Sequence, residues 1–259
     1  MSVDMPLIDV NASLGNWPFR QLHDNTPKTL IELMDANGID QAWVASFDAV
    51  LNREPKTANV ALTKAVAPYR DRLVPFAVVN PNFPTWQADI DLYLGELGFA
   101  GLRTYPNYFQ YALDEPCFGE LLDCVGERGV PLQVAPRVAD ERMHHPLVKV
   151  PAVDITKLDA QLDRAGDATI ILINTRAGEQ AVATKLAKEH ANVFMEISHV
   201  EGVGGVALLM ERLSDDQVLF GTHAPLLYAV SAVLKLREAD LSEEQLAKVS
   251  GGNARGILP

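Results

Sequence analysis

The 259-residue chain has few of the features that would take it out of the ordinary globular class. Its two cysteines, Cys117 and Cys124, are seven positions apart on one predicted helix, roughly 10 Å along the axis and beyond disulfide reach. A disulfide scaffold is excluded, and both are read as core thiols. No apolar run approaches the ~18 residues that a membrane span needs. The opening Met-Ser-Val-Asp-Met-Pro lacks both a basic and an apolar leader segment, so the expected location is cytoplasmic. Basic residues are scarce: 22 Lys and Arg against 34 Asp and Glu give a formal charge of −12 and a pI near 4.9. No basic face of any size can be built from them, which argues against nucleic acid and anionic membrane as partners. A linker, a charge block and a fixed-period repeat are also missing, so one domain over residues 1–259 is expected.

What is present is alternation. Hydrophobic residues make up 48% of the chain and mean hydropathy is +0.03, enough apolar surface for a sizeable core. Short β-branched runs recur at Pro6–Val10, Ala42–Phe47, Leu73–Val79, Ala100–Thr104, Pro131–Ala135, Thr169–Ile173, Val193–Ile197 and Val218–Gly221. Helical stretches lie between them: Thr26 and Pro27 open one that ends at Gly38, followed by Thr57–Ala67, Trp86–Glu96, Cys117–Arg128, Ile155–Arg164, Glu179–Glu189, Val206–Arg212 and Leu226–Arg237. A last helix, Ser242–Val249, begins with the capping-box residues Ser242 and Gln245. Near-continuous apolar strands separated by helices imply a parallel sheet covered on its outside, and eight such units close most naturally into an α/β fold of one (β/α)8 TIM barrel with an extra C-terminal helix. The doubly wound alternative would place a Gly-rich phosphate loop after the first strand, where this chain has Asp9-Val10-Asn11-Ala12-Ser13-Leu14-Gly15. Gly202-Val203-Gly204-Gly205 follows a late strand and reads as a helix-entry turn.

In a parallel barrel the chemistry sits at the C-terminal strand ends. Those ends carry Asn11, Ser13, Trp17 and Arg20; Asn80; Arg103, Tyr105, Asn107 and Tyr108; Arg137, Asp140, Glu141, Arg142, His144 and His145; Asn174 and Arg176; Glu196, His199 and Glu201; and Thr222 and His223. Each has a plain alternative: Asn11 as a turn cap, His144 and His145 as a solvated loop pair, the tyrosines as packing, His223 as a cap of the turn into Ala224-Pro225. The stretch from Pro136 to Pro151 has no helical period and is too long for an ordinary connection, so a loop partly covering the mouth is expected.

Several stretches carry a resemblance. Leu7-Ile8-Asp9-Val10, the segment from Arg70 to Pro81 containing Val74-Pro75-Phe76-Ala77, Leu97-Gly98-Phe99-Ala100-Gly101-Leu102-Arg103, Gly129-Val130-Pro131-Leu132-Gln133-Val134, Val218 to Pro225 and Gly252-Asn253-Ala254-Arg255 together span nearly the whole chain. The chain resembles the amidohydrolase-2 branch of the amidohydrolase superfamily, a group of barrel hydrolases, lactonases and aromatic-acid decarboxylases. The resemblance implies one or two divalent ions held by His-x-His after strand one, a His at strand five, another at strand six and an Asp at strand eight. The corresponding places here hold Asn11 and Ser13, Ala135, Asn174 and His223, so no metal ligand and no cofactor is assigned.

The resulting expectation is a hydrolase working without the family's metal on a carboxylated or polyhydroxylated lactone, ester or amide. His223 serves as general base or acid, and His199 as second proton carrier or as a residue oriented by Glu196 or Glu201. Arg103 and Arg137 grip a carboxylate, and Asn11 and Asn174 supply amide donors. Arg20, Asn80, Tyr105, Tyr108 and Glu196 complete the substrate surface. The expected partner is a small anionic molecule, with a homo-oligomer left open. Two alternatives stand beside this one: a metal-dependent hydrolase or decarboxylase with ligands rebuilt from His199, His223 and Glu196 or Asp9, and a barrel that only binds a small anion or a protein partner.

Overall fold

A computed structural model describes residues 6–258; most of the opening segment searched for a leader lies outside the described residues. Eight parallel strands pair in chain order: β1 (Ile8–Leu14), β2 (Gln41–Ser46), β3 (Leu73–Val78), β4 (Gly101–Thr104), β5 (Leu132–Val134), β6 (Ile170–Leu172), β7 (Val193–Glu196) and β8 (Val218–Leu219). The ring closes where the Val10 amide donates to the Phe220 carbonyl (3.0 Å), the Ser13 amide donates to that of Ala224 (2.8 Å), and Ala12 bridges Ala224. The helices are α1 (Pro27–Asn37), α2 (Lys56–Val66), α3 (Trp86–Asp91), α4 (Pro106–Phe109), α5 (Pro116–Arg128), α6 (Ala177–Glu189), α7 (Gly205–Arg212), α8 (Ala229–Arg237), α9 (Glu243–Ala247) and α10 (Asn253–Ile257). This is a (β/α)8 barrel with a C-terminal helical extension. No helix among the described residues is long and apolar enough to cross a membrane.

Local chemistry sets the boundaries. Thr26 caps α1 from its side chain, Pro27 fills the first turn where no N–H is needed, and Gly38 ends the helix at φ 69°. Ser242 and Gln245 form the expected reciprocal cap on α9. Both cysteines lie on α5 and are free thiols.

Three segments differ from expectation. The first strand runs on to Leu14 rather than stopping at Val10, because Asp9, Asn11 and Ser13 are buried inside the barrel instead of forming a polar turn. Ile155–Ala165 is wound as a 3₁₀ segment, not an α-helix. The eighth helix starts at Ala229, which leaves Leu226 and Leu227 in the preceding loop, against the cavity at the mouth.

Candidate active site

A cavity of about 240 Å³ opens at the C-terminal end of the barrel. Trp17, Phe19, Val138, Leu226 and Leu227 give it an apolar wall, and Arg20, Arg142, Arg176, Asp140, Glu201, Ser198, His199 and His223 give it a charged and polar one. Trp17 is held by edge contacts with Phe19 and Tyr108, at ring separations of 5.6 and 5.7 Å. The loop between β5 and β6 lies over this mouth as expected, since its Val138, Ala139, Asp140, Arg142 and His144 line the cavity.

Beneath the cavity is a buried polar network, in which Asn11 Oδ1 has no partner among the described residues. Glu196, at the end of β7, is buried and accepts from the Asn174 amide (2.7 Å), the Asn11 Nδ2 (3.2 Å) and both the amide (2.5 Å) and hydroxyl (2.7 Å) of Ser198. Asn11 Nδ2 also donates to Asn174 Oδ1 at 2.7 Å. Asn174 stands at φ 61°, which turns its amide onto the carboxylate. Gly221 is required here: a Cβ on it would collide with the Glu196 carboxylate. Asp9 forms a second buried centre, accepting from the Asn11 amide (2.9 Å), the Thr222 amide (3.0 Å) and the Thr222 hydroxyl (2.5 Å). Burial pushes its carboxyl up to about 6, against the lowering effect of those bonds.

The two histidines meet at the cavity wall, 5.4 Å apart between ring centroids. His223 Nε2 is 2.8 Å from the Val138 carbonyl oxygen, which can only accept. The proton is therefore on Nε2, and in the neutral ring Nδ1 is a free lone pair without a partner among the described residues. Burial, then the neighbouring His199, lower the His223 ring to about 3; burial, then the Arg176 charge, lower His199 to about 4. Both rings are neutral well into acid. An acid limb near neutral pH, the ordinary expectation for a histidine, is thus moved down by burial.

The signs of these shifts give an expectation for stability. Below about pH 6.5 the unfolded chain protonates both histidines while the fold keeps them neutral, so stability is lost as pH falls towards 4 and then 3. Asp9 acts the other way: its charge weakens the fold above about pH 6, and that cost is relieved on acidification towards its ordinary value. Two groups outweigh one, so the urea midpoint is expected to fall from pH 6 to pH 4, with a smaller fall in His199→Asn.

Other expected site residues lie elsewhere. Asn80 is tied to the Arg53 carbonyl and the Asn82 amide and, with Tyr108, lines a separate depression. Tyr105 is buried against Phe109. Arg137 pairs with Glu179 behind the loop, so its charge is already matched. Arg20 does line the cavity, donating to the Leu226 carbonyl at 2.8 Å. Arg103 is buried below it, held by Gln133 and the β1 backbone. Ser198 and Gln133 were missed by the sequence reading. A glutamine between Leu132 and Val134 in a buried strand was the available signal for the second; Ser198, two residues past Glu196, carried none.

The loop over the mouth is pinned by Asp140, which accepts from Arg176 at 2.8 Å and from Arg142 at 2.7 Å. Arg142 first, then Arg176, hold its carboxyl well below the ordinary range. Asp140→Asn is expected to speed hydrogen exchange across residues 138–148 and to raise KM several-fold once a substrate is in hand, with little change in melting temperature because both arginines remain solvated.

The donor set does not fit the metal that the resemblance implies. Among the described residues no group of three or more His, Cys, Asp or Glu side chains converges to hold an ion. Asn11 and Asn174 are bonded to each other, Ala135 has no donor, and neutral amide and hydroxyl oxygens bind a divalent transition metal poorly.

No curated protein matches the chain. Among solved structures it is similar to 2,6-dihydroxybenzoate decarboxylase from Rhizobium, at 18% identity and TM-score 0.73 over 98% of each chain. It is also similar to a dihydroxybenzoic acid decarboxylase from Polaromonas sp. JS666 with bound manganese and 2-nitroresorcinol, at 16% identity and TM-score 0.74 over 97% of this chain and 96% of that one. A third is 5-carboxyvanillate decarboxylase from Novosphingobium aromaticivorans, at 18% identity and TM-score 0.74 over 98% and 96%. At these identities the likeness is one of fold. The family profile described as Amidohydrolase matches residues 15–259, and the chain belongs to the amidohydrolase-2 family.

Proposed function

We propose that the chain is an enzyme that acts on a small organic anion by proton transfer at His223, with hydrolysis of a carboxylated ester or lactone as the reaction. The observation that carries this reading is the His223 ring, which lines the cavity with its Nε2 proton engaged by the Val138 carbonyl and its Nδ1 lone pair without a partner among the described residues. Water attacking the ester carbonyl gives its proton to Nδ1; the carbonyl electron pair moves to oxygen, and on collapse the leaving alkoxide takes the proton back. Water is consumed and an acid and an alcohol are formed. Three arginines against Asp140 and Glu201 leave the cavity cationic in a chain of net charge −12, which selects an anionic substrate.

A second reading is decarboxylation of a small aromatic acid. The Trp17, Phe19 and Leu226 wall beside arginines favours it, as do the dihydroxybenzoate and carboxyvanillate decarboxylases that share the fold. It asks for a proton delivered to ring carbon, and the one proton on a neutral His223 is the Nε2 proton held by the Val138 carbonyl. The test is to incubate the protein with carboxylated aryl esters and lactones and, separately, with hydroxybenzoates, following acid release and CO2. Acid release that disappears in His223→Asn supports hydrolysis. CO2 release without ester or lactone turnover transfers the assignment to decarboxylation, and neither product points to a binding barrel.

A further inference from the structure

Arg103 is 1% exposed, and no carboxylate lies within ion-pair distance of it among the described residues. Its Nε donates to Gln133 Oε1 at 2.6 Å, and Nη1 donates to the Ala12 carbonyl at 3.1 Å and to Ser13 Oγ at 3.2 Å. Gln133 is fixed in turn by donating Nε2 to the Val10 carbonyl at 2.7 Å, so its oxygen has to face the guanidinium. Nη2 has no acceptor and is buried. A buried charge without a partner is costly, by several kcal/mol per ion, and its remaining N–H groups point in a direction fixed by the other two nitrogens.

The place matters as much as the charge. Five positions answer to the metal ligands that the resemblance implies, and together they offer no anionic donor. Ser13 Oγ and Asn174 Oδ1 already accept from Arg103 and Asn11, Ala135 has no donor, and only the neutral Asn11 Oδ1 and His223 Nδ1 are left without a partner among the described residues. Arg103 Nη1 donates to Ser13 Oγ and to the Ala12 carbonyl, so the guanidinium stands against the strand-one part of this set. A divalent ion arriving there would meet a fixed positive charge and neutral oxygens.

We propose that the Arg103 guanidinium takes over the electrostatic place of the divalent cation, and that its free Nη2 receives an anionic oxygen of the bound molecule, a carboxylate or a developing oxyanion. This rests on the reading of the mouth cavity as the active site. The molecule recognised is therefore an anion whose charged oxygen passes below the mouth cavity to the barrel floor, where Arg103 is buried.

The experiment uses the full chain, purified without chelator. Metal analysis is expected to find less than about 0.1 equivalent of manganese, iron, cobalt or zinc per chain. Benzoate and its neutral isostere benzamide are then titrated, with tryptophan fluorescence and ligand-observed NMR as readouts. Wild type is expected to prefer benzoate by about 30-fold, the range of a charge-assisted bond. Arg103→Met is expected to lose most of this preference, keeping at most about fivefold from the field of Arg20, Arg142 and Arg176. Arg103→Lys keeps the charge but cannot serve Gln133, Ser13 and a ligand at once, and is expected to fall below about tenfold. Circular dichroism checks the fold, and Arg103→Lys alone decides if Arg103→Met does not fold. Stoichiometric metal, a wild type that binds neither probe or does not distinguish them, or a folded variant with the full preference overturns the proposal. Failure here leaves the His223 reading to be judged by turnover of His223→Asn, and failure of that reading leaves the anion preference measurable, since it needs no reaction.

Discussion

Replacing His223 by Asn is expected to lower kcat by roughly 10²-fold or more on any substrate that the protein turns over, with a much smaller change in KM. The Asn amide ends at the level of Nδ1 and stops short of the Val138 carbonyl, so His223→Gln, whose amide nitrogen reaches the place of Nε2, is the companion variant that keeps the 2.8 Å loop contact. What is removed is the lone pair on Nδ1 and the ability to hold a proton between attack and departure. The pH profile supplies a second reading. Because burial keeps the His223 ring neutral down to about 3, wild type is expected to show no histidine limb between pH 5 and 8. An activity limb near pH 6 would instead report Asp9, whose carboxyl is pushed up to about that value. A variant that turns over at the parent rate would make His223 structural and would move the proton-transfer role to His199, across the 5.4 Å ring pair.

The fold was legible because most positions of the strands that build it are apolar and the helices carry clear stop signals. Leu102, Leu132, Ile170 and Val193 stand side by side in register across β4 to β7, and each lies in a run that reads as a buried strand. The first strand was cut short for a physical reason. Its inward positions are Asp9, Asn11 and Ser13, and alternating polar residues with Gly15 beyond them look like a turn when no partner is in view. Site residues separated along similar lines. A strand end places a residue at the mouth but does not say which way it points or what it already holds. Arg20, His199 and His223 face the cavity, whereas Asn80 and Arg137 are engaged with Arg53 and Glu179. The apolar wall went unseen because Leu226 and Leu227 read as the first turn of a helix that begins at Ala229.

Replacing Glu196 by Gln is expected to destabilise the protein by about 2–3 kcal/mol, the cost of leaving a buried donor without its acceptor. The carboxylate accepts four hydrogen bonds, three on Oε1 and one on Oε2, and only the Asn11 Nδ2 among the donors has another acceptor, Asn174 Oδ1. A glutamine offers one oxygen, and its NH2 would face either the Ser198 amide at Oε2 or the Asn174 amide and Ser198 hydroxyl at Oε1. Either orientation leaves a buried backbone N–H against another donor. The close approach of Gly221 leaves no room for the side chain to swing away. Because Ser198 precedes His199 and Asn174 bonds the loop at the Arg137 carbonyl (3.0 Å), the loss is expected to spread to the cavity wall. Urea denaturation followed by circular dichroism measures the first effect, and hydrogen exchange at residues 174 and 198 measures the second. A midpoint unchanged from wild type would mean that these four hydrogen bonds do not hold the barrel floor together.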